Sequence, residues 1–390
     1  MSGITRRDAL RALAIGAVAA PAMLRGRYSL FGQSNAQYSA RAVRLVESSI
    51  VVDLLNQFQF PDFSVRPPTI DQWLTRPGTF TAEDAARYQS SGITVFSLGA
   101  GAGSYDEAVQ FYARWNGFIA GYSDWLTRID ATTDFTRAKA QKKVGIMLTF
   151  QDSTHFRTPD DVPMFFGLGQ RISQLTYNFN NRIGSGFLEQ RDGGLSVFGL
   201  SILRRMEEVG MAVDVSHCGD QTTLDALDAA TRPVLFTHAT ARALVPGHLR
   251  CKTDEAIQKM AKSGGVMGIA MIRFMVRNSE PVTIEHVLDH VDYVARLVGV
   301  EHVAIGSDLD VVGNPNAVNG GGFDPRTQPN FSRYLYHEDG DGAITIRGLN
   351  HAKRVFDLTE GLVRRGYTDA QIAAILGGNA IRVLGAIWKL

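Results

Sequence analysis

The sequence is poor in cysteine, in net charge and in long apolar runs. Two cysteines in 390 residues cannot form a disulfide scaffold. Lysine and arginine number 40 against 39 aspartate and glutamate, and the formal charge of +1 excludes a polybasic nucleic-acid-binding protein. No apolar run reaches the roughly 20 residues of a membrane-spanning helix. With 45% hydrophobic and 20% charged residues, the chain has the composition of a globular protein with a large core.

The first residues have the pattern of an export signal. The pair Arg6-Arg7 precedes an Ala-rich apolar run, Leu13–Ala20, which ends at Pro21. This order is typical of a twin-arginine signal peptide. We therefore predict that residues 1–35 are a signal and linker, that the twin-arginine export machinery is a partner, and that the protein is periplasmic or otherwise extracytoplasmic. The alternative is an amphipathic first helix.

Eight short apolar runs, each followed by a segment of helical length, fill the rest of the chain. Nearly continuous apolar runs indicate strands buried on both faces of a parallel sheet. Eight such units predict a TIM (β/α)8 barrel, an α/β fold, as a single domain over residues 36–390. An open doubly wound sheet is the alternative, but no G-x-G-x-x-G follows any run. The runs are Ser49–Leu55, Ile93–Leu98, Val144–Phe150, Ile172–Tyr177, Met211–His217, Pro233–His238, Gly265–Ala270 and His302–Asp308.

Two further segments carry expectations about the ends of the domain. The Gly-, Asn- and Pro-rich stretch from Gly313 to Pro329 follows the eighth run, and we expect a long loop over the barrel mouth. The tail from Leu349 to Leu390 has a helical pattern, and we expect Gly377-Gly378 to interrupt it.

Polar residues close several of the runs, and in a TIM barrel the chemistry lies at the carboxyl ends of the strands. His217, His238 and Asp308 end the fifth, sixth and eighth runs. Imidazole and carboxylate groups bind Zn²⁺, and an open coordination position would leave room for a hydrolytic water. A single histidine in such a position is more often structural, but the three together predict a metal site. His155, beyond the third run, is a minor candidate.

These residues resemble the membrane (renal) dipeptidases of the amidohydrolase superfamily, which are zinc-dependent barrels that cleave dipeptides. The resemblance covers most of the chain after the signal. It is most specific in the segments Gly210–His217, Pro233–Leu244, His248–Glu255, Gly264–Ile269, His302–Asp310 and Ile375–Leu384.

The resemblance also implies a degenerate dinuclear metal site. The family has His-x-Asp after the first strand, where this chain has Leu55 and Gln57. The bridging Glu of the family corresponds to Gln151, and the substrate-contacting His after the fourth strand corresponds to Tyr177. Two carboxylates and an imidazole are thus missing from the centre. We expect that two zinc ions are not held.

One zinc ion per chain remains the expectation, with His217, His238 and the amide oxygen of Gln151 as ligands. By resemblance, Asp308 transfers the proton of the attacking water to the leaving amine. Tyr177 binds substrate and donates a hydrogen bond to the oxyanion, and Arg250 binds the substrate carboxylate.

The sequence therefore predicts an exported metal-dependent hydrolase of dipeptides or similar small amides. The alternative is a catalytically inactive, dipeptidase-like binding protein. The oligomeric state stays open, a homodimer included. Cys218 and Cys251 belong to the same end of the barrel, where they form either a disulfide or two buried thiols, with a Cys218 thiolate ligand as a third alternative.

Overall fold

The structure, a computed structural model, describes residues 26–30, 37–58, 69–101, 103–311, 346, 348–349 and 351–388. The strands are β1 (Arg27–Tyr28), β2 (Tyr38–Ser39), β3 (Val52–Asn56), β4 (Val95–Leu98), β5 (Leu126–Arg128), β6 (Val144–Phe150), β7 (Gln170–Gln174), β8 (Ala212–Asp214), β9 (Val234–Ala239), β10 (Val266–Ile269) and β11 (Val303–Ile305). Eight of them are parallel and form a closed barrel in the order β3-β11-β10-β9-β8-β7-β6-β4, in which β4 pairs with β3. The predicted barrel is confirmed.

One strand of the sheet was not predicted. Strand β5 pairs in parallel with the first half of β6, and β7 pairs with the second half of the same strand. β5 is only three residues long and carries a single buried apolar residue, Leu126, so its sequence gives no strand pattern. It widens the sheet at the amino end of the barrel without entering the closed ring.

The barrel interior is filled by alternate residues of the strands. Val95, Met147 and Leu235 belong to the smaller of two buried clusters, whereas their neighbours Phe96 and Phe236 belong to the larger cluster between strands and helices. Side chains of a strand point alternately to its two faces, which explains the division. Burial on both faces is the reason that the strands are nearly continuous apolar runs.

Helices follow most strands and form the outer layer. Polar N-caps begin several of them; for example, Ser196 accepts a hydrogen bond from the backbone of Gly199. The helices are α1 (Ala40–Ser48), α2 (Thr69–Thr75), α3 (Ala82–Ser90), α4 (Tyr105–Gly121), α5 (Thr132–Ala140), α6 (Asp161–Gly167), α7 (Val197–Val209), α8 (Asp220–Ala229), α9 (Asp254–Lys262), α10 (Arg273–Val276), α11 (Ile284–Val298), α12 (Arg354–Arg364), α13 (Asp369–Ala373) and α14 (Asn379–Ile387), with 3₁₀ turns at Arg242–Leu244 and Val300–His302.

The glycine pair in the tail does not interrupt the helix, contrary to the expectation. Residues Ala374–Gly378 form a π-helical turn that joins α13 to α14. A Cβ on Gly377 would lie 2.0 Å from the carbonyl oxygen of Ile50, so the glycine permits the helix to approach the barrel closely. Asp369–Ile387 is long and apolar enough to cross a membrane, but half of its most apolar stretch is buried, as in the core helix of a globular domain.

The amino end of the domain is attached to the barrel through a short ribbon. β1 and β2 pair in antiparallel fashion, so Arg27–Tyr28, within the range predicted as signal and linker, contacts Tyr38–Ser39. Ser39 donates from Oγ to Oε2 of Glu360 in α12 at 2.7 Å. The Arg6-Arg7 signal and the Gly313–Pro329 loop lie outside the described residues.

Candidate active site

His217 and His238 meet at the carboxyl end of the barrel. Their Nε2 atoms are 2.9 Å apart, and the side chain of His238 is completely buried. His217 lies three residues beyond β8, whereas His238 lies within β9. Two imidazoles from different β/α units of the barrel thus direct their Nε2 atoms at each other.

The outer nitrogens of both rings are held by hydrogen bonds that fix the tautomers. Nδ1 of His217 donates to Oδ1 of Asn178 at 2.8 Å. The hydroxyl of Thr237 donates to Asp214 at 2.6 Å, so its oxygen accepts the hydrogen bond of 2.8 Å from Nδ1 of His238. Both Nε2 atoms therefore carry lone pairs that face each other. Such a contact is attractive only with a cation or a proton between the two atoms.

Both imidazoles are kept neutral. Burial, with the nearby Arg250 guanidinium as the second cause, lowers the pKa of His217 and that of His238 well below the ordinary value. A neutral imidazole is the form that binds a metal ion. The environment thus favours ligation over protonation.

A hydroxyl residue precedes each of the three predicted polar residues, a pattern that was not predicted to have a role in the site. Ser216 and Thr237 both donate, from backbone N–H and from hydroxyl, to the buried carboxylate of Asp214, at 2.5 to 3.0 Å. One carboxylate therefore connects the turn that carries His217 to the strand that carries His238. The sequences Ser216-His217, Thr237-His238 and Ser307-Asp308 were the available signal.

The same arrangement holds Asp308. Ser307 donates from its backbone N–H at 2.8 Å and from its hydroxyl at 2.5 Å to Asp53, and Asn56 donates to the same carboxylate at 3.0 Å. Asp53 and Asp214 therefore both orient the residues around them. They act on hydroxyl groups and backbone rather than directly on a histidine ring.

Asp308 adopts an unusual backbone conformation beside the histidines. Its φ is +58°, in the left-handed region that is uncommon for a residue with a side chain, and its N–H donates to the carbonyl of Leu55 at 2.9 Å. Oδ2 lies 4.0 Å from Nε2 of His238. Burial raises the pKa of Asp308 to about 7, against the opposing effects of Arg250 and of the hydrogen bond from Gln57.

Gln151 reaches the same point with its amide nitrogen. Nε2 of Gln151 lies 3.2 Å from Nε2 of His238. The amide nitrogen is a donor only, so in this contact it donates to the lone pair of the imidazole nitrogen. The backbone of the residue is fixed, because its N–H donates to Ala100 at 2.7 Å and its carbonyl accepts from Gln174. Ligation of a metal by the predicted oxygen atom requires the amide to turn by about 180° about its last torsion.

Tyr177 covers one face of the histidine pair. Its ring stacks on that of His217 with centroids 4.3 Å apart and planes at 23°. The side chain is 40% exposed at the mouth. Desolvation, followed by the charge of Asp308, raises the pKa of Tyr177 to about 12, so the phenol keeps its proton and can donate it in a hydrogen bond. β7 ends at Gln174, so Tyr177 lies on the following loop rather than on the strand predicted over Ile172–Tyr177.

Arg250 is buried beside the pair. Its exposed fraction is 2%; Nη1 donates to the carbonyl of Ser216 at 2.6 Å and Nη2 to that of His238 at 2.9 Å. These bonds leave three of the five guanidinium N–H groups for other partners. The predicted contact with a substrate carboxylate stays a prediction.

The side chains at this point that could bind a metal ion are two imidazoles and one amide. The described residues contain no group of three or more His, Cys, Asp or Glu side chains that could hold a metal ion. Leu55, where the family has a histidine, is buried and has no donor atom, and Gln57 bonds to Asp308 instead. Two imidazole nitrogens bound to one tetrahedral zinc at about 2.1 Å lie roughly 3.4 Å apart, so the observed 2.9 Å needs only a small opening.

The remaining candidate residues lie away from the histidine pair or are unreactive. His155 is fully buried among Phe150, Phe156 and Phe165, so it does not reach the mouth. Cys218 and Cys251 are both free. Their thiols accept from Thr176 and Thr240, and burial raises the pKa of each to about 11. Of the alternatives for the cysteines, the structure has the two buried thiols.

Comparison with protein families gives one match. The family described as "Membrane dipeptidase (Peptidase family M19)" matches residues 84–327 and 338–390. This range includes every candidate residue of the site after β4. It does not include Leu55 and Gln57, at which the resemblance implies that two metal ligands of the family are replaced.

Relatives in sequence and structure agree with this match. An uncharacterized dipeptidase, C965.12, of Schizosaccharomyces pombe is 33% identical over 280 residues, 70% of this chain and 59% of that protein. The dipeptidase tcpJ of Claviceps purpurea is 30% identical over 224 residues, 57% of this chain and 45% of that protein. The chain thus spans about half the length of these relatives.

A solved structure supports the fold over nearly the whole chain. An amidohydrolase from Pseudomonas aeruginosa superimposes with a TM-score of 0.73 at 26% identity, over 90% of this chain and 99% of that one. The barrel and its helices are therefore those of an amidohydrolase fold.

Proposed function

Because the chain belongs to the membrane dipeptidase family, peptidase family M19, we propose that it is an exported hydrolase of dipeptides or similar small amides that works with one zinc ion. The observation that carries the proposal is the 2.9 Å approach of the two Nε2 lone pairs of His217 and His238. A metal-binding role accounts for a contact that is otherwise repulsive.

The single ion would be held by His217 and His238, with the amide oxygen of Gln151 as a third ligand once the amide has turned. A zinc ion in this position supplies Lewis acidity toward the carbonyl of the scissile amide. A neutral amide ligand leaves the ion less well neutralised than the carboxylate of the family does, so we expect weaker binding. The lack of donors at Leu55 supports one ion rather than two.

Asp308 is the proton carrier in this proposal. Its pKa of about 7 is suited to taking a proton from water and returning it to a leaving amine near neutral pH. Oδ1 is held by the side-chain amide of Gln57 at 2.9 Å, which leaves Oδ2, the oxygen nearer to His238, for the proton. Oδ1 would thus hold the carboxylate in place, and Oδ2 would carry the proton.

Tyr177 and Arg250 would bind the substrate. The phenol keeps its proton and lies at the mouth, where it can donate a hydrogen bond to the oxygen that becomes negative during amide cleavage. The guanidinium of Arg250 has N–H groups beyond the two used on carbonyls, and a carboxylate is the ligand that matches it. A small amide with a free carboxylate, such as a dipeptide, meets both requirements.

One observation favours the second candidate, a dipeptidase-like binding protein without catalysis. Gln151 presents a donor to the lone pair of His238 and thereby satisfies this ring without any metal ion. In that case the mouth, with Tyr177 and Arg250, would bind the same class of small carboxylate without cleaving it.

Metal analysis of the purified mature protein separates the two functions. About one zinc ion per chain, together with turnover of a dipeptide panel, supports the hydrolase. No zinc after growth in zinc-rich medium, with no turnover, supports the binding protein.

Two histidine variants make the test specific. His238→Ala should abolish both zinc binding and turnover. His302→Ala, a histidine at the opposite end of the barrel whose Nδ1 contacts the carbonyl of Gly265 at 2.8 Å, is the matched control and should leave both unchanged. Unchanged turnover in His238→Ala would refute the proposed centre.

A further inference from the structure

Lys252 is a lysine buried in the core close to the histidine pair. Its side chain is 1% exposed, and Nζ donates to the carbonyl of Val215 at 2.7 Å, to the carbonyl of Cys218 at 3.0 Å and to the hydroxyl of Thr223 at 3.1 Å. All three ammonium hydrogens are thus used, and all three acceptors are uncharged. Burial lowers the pKa of Lys252 to about 8.

The two carbonyls belong to the turn that carries His217. Val215 and Cys218 flank Ser216-His217 in the chain, and Cys218 N–H also donates to the carbonyl of Val215 at 3.1 Å. The remaining carbonyls of the turn are held as well, that of Ser216 by Arg250 at 2.6 Å and that of His217 by the N–H of Phe187 at 3.0 Å. Every carbonyl from Val215 to Cys218 therefore has a donor, and these bonds restrict the conformation of the turn.

The backbone of Lys252 is fixed to the other histidine strand. Its N–H donates to the carbonyl of Thr240 at 2.8 Å, and its carbonyl accepts from Arg242 at 2.9 Å. Thr240 comes two residues after His238, directly beyond the end of β9. The backbone of one residue is thus bound beside His238, while its side chain is bound around His217.

Burial of an ammonium group at this position costs free energy, because the charge loses its hydration. Methionine, an unbranched side chain of similar length, would need no desolvation of a charge. What the ammonium supplies is three directed hydrogen bonds, which hold two carbonyls and a hydroxyl at fixed distances. The charge is therefore explained by a role in holding these three acceptors in place, rather than by a role in packing.

We propose that Lys252 is a positioning residue for the metal site, because it fixes the separation of His217 and His238 by joining the turn of the first to the strand of the second. This inference rests on the proposed single-metal function. It assigns no contact between Lys252 and metal or substrate. Groups that orient metal ligands typically change metal affinity by about 10- to 100-fold when removed.

The test compares Lys252→Met with Lys259→Met. Lys259 lies on α9 and forms an exposed ion pair with Asp228 at 2.5 Å, so its replacement is a matched lysine-to-methionine change away from the site. Zinc affinity of the metal-free proteins is measured by competition with a chromogenic chelator. The absorption spectrum of the cobalt-substituted proteins reports the ligand geometry, which a loss of stability alone does not change.

We expect Lys252→Met to lose zinc affinity by about tenfold or more and to shift the cobalt spectrum, with Lys259→Met like the wild type. Wild-type affinity and spectrum in a folded Lys252→Met protein would overturn the inference and leave the proposed function intact. A wild-type protein that binds no zinc would overturn both.

A second variant covers the case in which Lys252→Met does not fold. Thr223→Val keeps the shape of the side chain and removes one of the three acceptors of Lys252. It should weaken zinc binding in the same direction by about threefold. An affinity equal to that of the wild type would contradict the inference.

Discussion

The side-chain amide of Gln57 donates a hydrogen bond of 2.9 Å from Nε2 to Oδ1 of Asp308. In the family, the position of Gln57 carries a carboxylate that binds metal. By the resemblance, a neutral donor stands where the family has a charge, and it is bonded to the residue that we propose as the proton carrier. This bond supports the proposal of one ion rather than two.

Restoring the family residues at positions 55, 57 and 151 should restore the second ion. In the variant Leu55→His/Gln57→Asp/Gln151→Glu, we expect two zinc ions per chain, because the site regains an imidazole and two carboxylates. Without metal, the carboxylate introduced in place of the Gln57 amide would face Asp308 as a like charge, so the melting temperature of this variant should depend strongly on zinc. Metal stoichiometry and thermal unfolding with and without a chelator check this, and Leu55→His alone is the control. A stoichiometry of one in the triple variant would contradict it.

The single change Gln151→Glu should increase the affinity of the site for one zinc ion. A carboxylate adds a full charge where the amide adds a dipole, and it has no N–H to direct at His238. We expect the zinc dissociation constant to fall about tenfold or more, measured by chelator competition. Gln141→Glu, at an exposed helix end, is the control and should leave it unchanged. Equal affinity in Gln151→Glu would show that Gln151 is not a ligand.

Asp214 should matter for stability far more than an exposed carboxylate. Asp214→Asn replaces an acceptor of four hydrogen bonds from Ser216 and Thr237, and one amide N–H then faces a donor. We expect a loss of about 2 to 3 kcal/mol in the free energy of unfolding, measured by denaturant titration. The exposed Asp228→Asn should cost at most about 1 kcal/mol, because surface ion pairs contribute little. Similar losses in the two variants would refute the role of Asp214.

Stability should respond to pH through Asp357, at which burial raises the pKa from 3.8 to about 7 despite a hydrogen bond from Tyr38. A pKa that is higher in the folded state gives a contribution to stability that is complete below about pH 4. That contribution is lost as the pH rises through 7. Asp357→Asn should therefore be more stable than the wild type at pH 8, by about 1 kcal/mol or more, and lose this advantage toward pH 4. Thermal unfolding of both proteins across this range checks the difference, and an advantage independent of pH would contradict it.

The two cysteines should not react with thiol reagents in the folded protein. Cys218 and Cys251 are buried thiols with a raised pKa, so a thiol reagent should label neither in the native protein and both after denaturation. Reductant should leave the melting temperature unchanged, since there is no disulfide to break. A fall in the melting temperature with reductant would contradict the free-thiol state.

The sequence predicted the barrel because its strands are buried on both faces and therefore appear as apolar runs of similar length. It did not predict β5, whose three residues are too few for a pattern, or the π-helical turn at Gly377, which depends on the approach of the tail to Ile50. His155 could not be placed either, because the aromatic side chains around it come from β6, from α6 and from the loop between them.

The types of the site residues were determined by the sequence alone: two imidazoles and a carboxylate near strand ends, and no donor at Leu55. Only the tertiary structure decided that the imidazoles direct the same nitrogen at one point, that Gln151 offers a donor to it, and that Arg250 and Lys252 fix the backbone around them. The physical reason is that hydrogen bonds are directional and short. Which atom of a side chain is free depends on neighbours far away in the chain, such as Asp214 for His238 and Asn178 for His217, and these meet only when the barrel closes.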